Sequence, residues 1–241
     1  SGTSLNSARV AAPFIEKILE IEVNVVAPSR IPPIYAKKPL MVFISQGGSS
    51  ANVLSAMESL SQYPSVCITG EDECEIKKRS QHHMLIGCGE ELAGPKTVGY
   101  TSSVMSFYMC ALESALVTGK MTSYNYHQVI DTLYLAAHEM ENNIIKTDIW
   151  FDKNADEISR IKKYIIIGSH VAADIANEGA LKILETIKVP AIGFEFEEYL
   201  HGPILMADEE LGGLFFITED SQYKSNMIEL IECHEKCSRY V

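Results

Sequence analysis

The chain has 241 residues, of which 46% are hydrophobic and 22% charged, the balance of an ordinary globular protein with enough apolar mass for one large or two modest domains. Its 20 Lys and Arg stand against 32 Asp and Glu, a formal net charge of −12 without any basic stripe, which excludes a nucleic-acid surface. The longest apolar runs are about six residues, too short to span a membrane, and no charged-then-apolar leader opens the sequence as given, so a cytoplasmic protein is expected.

In chain order, "SGTSLNSARVAAPFIEKIL" reads as a loop that leads directly into a helix, as if a preceding strand were absent. Short apolar strands are expected at Val23–Ala27, Leu40–Ile44, Ser65–Thr69 and His83–Ile86, the second of them buried. His82 and His83 lead into the last of these as packing or edge residues. After the Leu40–Ile44 strand comes "SQGGSS", and then Val53, Met57 and Leu60 fall on one helical face. Long helices are expected from Ser102 to Thr118 and from Ser123 to Ile145. The second is polar, carries His127 and His138 as surface or interface residues, and ends near "TDIWFDKNADE", a plausible junction. The alternation then restarts: strand Tyr164–Ile167, helix Ala172–Ile187, strands Ala191–Phe196 and Gly213–Thr218, helix Tyr223–Lys236. Alternating strands and helices imply an α/β class with parallel sheets covered on both faces. The restart divides the chain into units 1–150 and 151–241. "CSRYV" stops where another strand would begin, so the chain is expected to be shorter than the natural protein at one or both ends.

Six cysteines are scattered at 67, 74, 88, 110, 233 and 237, which in so long and apolar a chain read as reduced thiols rather than a disulfide framework. "CHEKC" holds Cys233, His234 and Cys237, but tetrahedral zinc needs four ligands and no second pair lies at suitable spacing. A polar helix end is the reading preferred there, and no metal is expected.

Three stretches carry chemistry. A strand, a turn with Gly47 and Gly48, and a helix start offer free N–H groups and the positive end of a helix dipole to an anion, although the same glycines serve a plain turn equally well. Glu178, Lys182 and Glu185 fall at i, i+4 and i+7 on one helical stripe, beside small or apolar residues, which suits either a catalytic carboxylate pair or a solvated face. His201 stands in "HGP", a loop histidine able to move a proton near neutrality or simply to shape a turn. His170, at the end of "IIIGSH", is a further residue placed to approach a ligand. "GCGEELAG" misses the dinucleotide pattern because Leu92 occupies the third glycine position.

Taken together and in this order, "SGTSLNS", "ISQGGSS" and "EGALKILE…EYLHGP" resemble the sugar isomerase (SIS) family, nearest to the isomerase half of glucosamine-6-phosphate synthase and to fructosamine-6-phosphate deglycases. The resemblance covers nearly the whole chain. It implies two SIS domains, each a parallel sheet flanked by helices in a flavodoxin-like three-layer sandwich, and a homodimer with active sites near the subunit interface. Carried over by position, it implies that Ser4, Ser45, Gln46 and Ser50, with the backbone of Gly47 and Gly48, hold the sugar phosphate. Gly2, Thr3 and Thr101 would line the sugar. Glu185 corresponds to the general base, Glu178 and Lys182 to its helix companions, and His201 to the residue linked to ring opening. There are departures: Gly47 stands where the synthase has serine, Ser1 where it has cysteine and Ser103 where it has lysine, and a lysine near the synthase's C-terminal end has no counterpart. No glutaminase domain is read in these segments, so glutamine-dependent synthesis of glucosamine phosphate is not expected of this chain alone.

The implied activity is that of a phosphosugar isomerase or deglycase acting on a ketose or amino-sugar 6-phosphate. A carboxylate would move a proton between C1 and C2, without metal or organic cofactor. The alternative is a non-catalytic sugar-phosphate sensor, which needs the phosphate loop but not Glu185 and His201.

Overall fold

Among the described residues every strand pairing is parallel, and the strands fall into two sheets of three. The computed structural model describes residues 1–219, 221–238 and 240. The first sheet follows α1 (Thr3–Leu19) and contains β1 (Met41–Ile44), β2 (Ser65–Thr69) and β3 (His82–Leu85) in the order β1-β2-β3. Its helices are α2 (Ala51–Ser59), α3 (Glu75–Arg79) and α4 (Val98–Val117). After α5 (Ser123–Ile158) the second sheet contains β4 (Lys163–Gly168), β5 (Ala191–Glu195) and β6 (Leu211–Phe216) in the order β5-β4-β6. Around it lie α6 (Val171–Thr186), α7 (Phe196–Leu200), a 3-10 turn at Pro203–Met206 and α8 (Lys224–His234). The chain forms two compact units, Ser1–Ala111 and Leu112–Val241.

In each unit the central strand is apolar on both faces, which is why it reads as a continuous run rather than an alternation. On β4, Tyr164 and Ile166 pack with Ala176 and Ala180 of α6, while Ile165 and Ile167 pack with Phe196, Tyr199, Leu211, Met227 and Leu230. On β2, Cys67 packs with Val53, Met57, Cys74 and Ile76, and Ile68 packs with Ala11, Ile86 and Phe107. The α/β expectation of parallel sheets flanked by helices is met.

Several local expectations are corrected. The helix α1 starts at Thr3, so the loop that leads into it is no longer than Ser1 and Gly2. Val23–Ala27 forms no strand: the Val23 N–H donates to the Glu16 carboxylate at 3.0 Å instead of to a neighbouring chain, and Pro28, Pro32 and Pro33 follow. The strand at β1 is an edge, with Val42 46% exposed, rather than buried. The helix α5 runs 36 residues to Ile158, well past Ile145, because no glycine or proline interrupts it and Thr122 caps its start by accepting from the Asn125 N–H. The expected division between residues 150 and 151 therefore falls inside a helix. The short helices α3 and α7 were not expected. In "CHEKC", Cys233 and Cys237 are exposed, but His234 turns inward and is 1% exposed. Of the terminal "CSRYV", Arg239 and Val241 lie outside the described residues; Tyr240 makes a parallel bridge to Gly212 beside β6. All six cysteines are free thiols. Among the described residues no helix is long and apolar enough to cross a membrane.

The packing of α6 on the second sheet is close enough to require glycine. A Cβ built on Gly193 of β5 would lie 2.6 Å from the Asn177 N and 2.7 Å from the Ala176 C, both backbone atoms that cannot yield. Gly193→Ala should therefore destabilise the protein by about 1–3 kcal/mol in urea denaturation, whereas Ala at Gly94, which has open space around it, should change stability far less.

Candidate functional site

The candidate residues fall into one set per unit. In the first unit β1 ends at Ile44, Ser45 extends the pairing through its N–H to the Ile68 carbonyl at 3.1 Å, and the chain then turns sharply. Gly48 closes the turn by donating its N–H to the Ser45 carbonyl at 3.1 Å, at φ 60°. It has a second reason to be glycine, since a Cβ there would occupy the place of the Cys74 thiol. The Gln46 carbonyl accepts from the N–H groups of Gly70 at 2.8 Å and Glu71 at 3.2 Å, which ties the loop to the end of β2. Below it, the Thr69 hydroxyl donates to the Glu71 carbonyl at 2.6 Å and so must accept from His83 Nε2 at 2.7 Å.

This arrangement leaves the rim of the loop unspent. Gly47 and Ser49 are exposed, and the N–H groups of Gly47, Ser49 and Ser50 donate to no backbone carbonyl among the described residues. Ser50 is the N-cap of α2, yet its hydroxyl makes no capping hydrogen bond. A turn of this kind at a helix start is chemically suited to an anion.

The first turn of α4 lies against the same loop. The Gln46 side-chain amide packs so tightly on Gly99 that no Cβ fits there, and its Nε2 is buried without a hydrogen-bond partner. Thr101, one of the sugar-lining candidates, is exposed on this turn and donates its hydroxyl to the Val98 carbonyl at 3.1 Å. Ser103 is buried and bonded to the Gly99 carbonyl at 2.6 Å. Gly2, Thr3 and Ser4 form the start of α1: Gly2 is its N-cap at φ 58°, and its carbonyl accepts from Leu5 and Asn6. The helix they open shares the core of Ile44 and Phe107 through Ala8, Ala11 and Ile15.

In the second unit Glu178, Lys182 and Glu185 do form one stripe on α6. The Lys182 ammonium lies 3.3 Å from Glu178 Oε1 and also pairs with Glu185. Glu178 is buried, Lys182 is mostly covered, and the Glu185 side chain is 37% exposed, so the three descend from solvent into the protein. Glu185 therefore stands at the rim. His201 caps the C-terminal end of α7, exposed, with Gly202 following at φ 133° and Pro203 opening the 3-10 turn. Among the described residues no hydrogen bond or ion pair joins His201 to the α6 stripe. His170, the N-cap of α6, is exposed, with its ring 5.9 Å from that of Tyr223. Among the described residues no cluster of three His, Cys, Asp or Glu side chains is placed to hold a metal ion.

Comparisons with known proteins bear on both units. No family model matches the chain. It is 26% identical over 226 residues to the isomerizing glutamine–fructose-6-phosphate aminotransferase of Oceanobacillus iheyensis, covering 92% of this chain and 37% of that protein. The chain thus spans a little over a third of the length of that curated relative. A crystal structure of a provisionally assigned phosphosugar isomerase from Clostridium difficile superposes with a TM-score of 0.92 at 27% identity, over 100% of this chain and 70% of that one. The C-terminal domain of glucosamine-fructose-6-phosphate aminotransferase from Francisella tularensis shares the fold, with a TM-score of 0.89 at 21% identity over 98% of this chain and 68% of that one. These likenesses support the sugar isomerase (SIS) family for this chain, and the relatives are phosphosugar-handling proteins by their names.

Sequence reading missed Glu91 altogether. Its Oε1 accepts from the Thr97 N–H at 2.7 Å, the Thr97 hydroxyl at 3.0 Å and the Val98 N–H at 3.0 Å, and its Oε2 from the Gly99 N–H at 3.0 Å. One carboxylate thus satisfies the N-terminus of α4. It was invisible because it reaches forward over six to eight residues, farther than any capping box. Desolvation pushes this carboxyl up, but the donors at Thr97, Gly99 and Val98 outweigh it and bring the pKa from 4.5 to about 2. A depressed carboxyl stabilises the fold above its unfolded value of 4.5, and that stabilisation fades as the pH falls toward 2. Glu91→Gln should lower the melting temperature at pH 7, and the gap to the unchanged protein should narrow steadily in melts at pH 4 and pH 3.

Proposed function

We propose that this chain is a phosphosugar isomerase or deglycase that moves a proton between C1 and C2 of a ketose or amino-sugar 6-phosphate. The observation that carries the reading is the α6 stripe, in which buried Glu178 and rim-exposed Glu185 are held by one lysine. A charge pair that only solvates a helix does not need a buried member; Glu178 is 3% exposed.

The phosphate would sit over the Ser45–Ser50 turn, held by the serine hydroxyls, Gln46 and the N–H groups at Gly47, Ser49 and Ser50, with Ser4, Gly2, Thr3 and Thr101 bordering the sugar. Remote contacts of this kind supply binding energy that orients the reacting carbons. Glu185 takes the proton from the carbon beside the carbonyl or imine, leaving an enediol or enolamine, and returns it to the neighbouring carbon. Lys182 fixes the position of that carboxylate against Glu178, and His201 transfers the proton that opens the ring. In a deglycase the same proton shift on a sugar-amine adduct is followed by hydrolysis of the C–N bond.

The partner proposed is a second copy of the chain. Residues 134–153 of α5 are all exposed, and Met140, Ile144, Ile145, Ile149, Trp150 and Phe151 are each about half exposed along it, a concentration of exposed apolar side chains that suits an interface. Ile145→Asp with Ile149→Asp should convert a dimer to a monomer in light scattering after size exclusion. A mass unchanged by the pair of substitutions, or monomeric before them, sinks this assignment of α5.

The partial exposure of Glu185, and its lack of a link to His201, are what a non-catalytic sugar-phosphate sensor would also show. One experiment separates the readings. Solvent deuterium entering C1 or C2 of fructose 6-phosphate and of fructosamine 6-phosphates, followed by NMR, should fall by about 10²-fold or more in Glu185→Gln, while Ser45→Ala and Ser50→Ala chiefly raise KM. Thermal stabilisation by the sugar phosphates without any exchange would establish the sensor instead.

A further inference from the structure

The helix that ends at His201 is too short to hold itself. Five residues, Phe196–Leu200, make little more than one turn, and isolated helices of that length do not persist in water. Two devices keep it in place. At its start the Glu195 carboxylate accepts from the N–H groups of Glu197 at 2.6 Å and Glu198 at 3.2 Å. On its inner face Phe196 and Tyr199, 2% and 0% exposed, enter the apolar cluster of Ile165, Ile167, Leu211, Met227 and Leu230.

Tyr199 brings a hydroxyl into that cluster, and its partner is His234 Nε2 at 2.8 Å, on α8. The histidine is itself 1% exposed, lies against the Tyr199 and Phe215 rings, and leaves its Nδ1 buried with no hydrogen-bond partner. A half-satisfied imidazole in an apolar core is destabilising relative to a leucine that would fill the space. Burial also pushes its pKa below the ordinary value, so it stands neutral at pH 7. A tyrosine-histidine bond kept under those terms does something that packing alone does not. It fixes the roll of α7 about its axis, and His201 follows two residues later, immediately before the unusual backbone of Gly202 at φ 133°.

We propose that the buried Tyr199–His234 hydrogen bond is a positioning pair that sets the placement of His201 and of the loop through Met206. This rests on the reading of His201 as the proton-transfer residue for ring opening. Neither Tyr199 nor His234 touches substrate; both act through α7.

The test uses the full chain with Tyr199→Phe, His234→Leu, the double variant and His201→Ala. Each is assayed by deuterium entry into fructose 6-phosphate, which must open its ring, and into a four-carbon 2-ketose 4-phosphate, too short to close one. Either single substitution should lower the melting temperature, since it leaves one polar partner buried alone. The double variant, apolar on both sides, should recover it. The rate on fructose 6-phosphate should stay down roughly tenfold or more in the double variant, at unchanged KM and with little effect on the four-carbon sugar, as in His201→Ala. If the rate on fructose 6-phosphate returns together with the melting temperature, the pair is merely structural and the proposal is overturned. Should the unaltered protein exchange deuterium into neither sugar, it is the proton-transfer reading that fails. Amide exchange measured by mass spectrometry over residues 200–206 then decides the placement: faster exchange there in the double variant supports the positioning pair, and identical exchange overturns it.

Discussion

The second unit depends on how closely one helix lies on its sheet. At Gly168 and Gly193, the backbone of α6 comes so near to β4 and β5 that no side chain fits between, and Ala176 and Ala180 keep the helix face equally low. Close approach fixes the rotation of the helix, because any roll would bring a larger residue against the strands. With the alanine face turned to the sheet, Glu178 is carried into cover while Glu185, two turns on, emerges at the rim. Small residues on one side of α6 thus decide where the charged residues on it end up.

Burying Glu178 would be strongly unfavourable for a lone carboxylate, and Lys182 is what makes it tolerable. The ammonium sits between a covered anion and an exposed one, so its own position is set from two sides. The consequence for chemistry is geometric. A carboxylate at a helix rim, paired with a cation that a second carboxylate also holds, has fewer positions open to it and less freedom to lose. The first unit holds its loop by backbone bonds at the Gln46 carbonyl and the Gly48 turn, with the Thr69–His83 side-chain pair beneath them.

Much of this was legible from the amino-acid sequence, and the reason is local. "YIIIG" reads as a strand because a central parallel strand is apolar on both faces, and the Glu178, Lys182 and Glu185 stripe follows from spacing alone. The same β-branched signal misleads at Val23–Ala27, where a side-chain carboxylate and nearby prolines withdraw the segment from any sheet. What could not be read was whatever spans distance. Glu91 caps a helix six to eight residues ahead of it, and His234 finds Tyr199 from 35 residues away. "CHEKC" looked polar because a helix end with a histidine and two cysteines carries no mark of which residue turns inward.

The two strand-to-helix junctions show how the units differ in kind. At the first, glycine takes up the left-handed turn without strain, and the N–H groups of Gly47, Ser49 and Ser50 donate to no backbone carbonyl among the described residues. At the second, between β4 and α6, a histidine adopts φ 53° and ψ −128°, a conformation that L residues resist by roughly 1–3 kcal/mol. The fold overcomes that resistance through hydrogen bonds from Ala172 to Ser169 and from Ala173 to His170, and through the contact of Gly168 with Ala172. This junction closes on itself, with Ser169 bonded to Ser221 at 3.0 Å. An open, unstrained turn is suited to receive an anion, while a closed, over-determined one is suited to hold a helix still. The two backbones differ accordingly: the first leaves rim N–H groups without a backbone acceptor among the described residues, and the second opens a helix whose carboxylates stand about two and about four turns down its length.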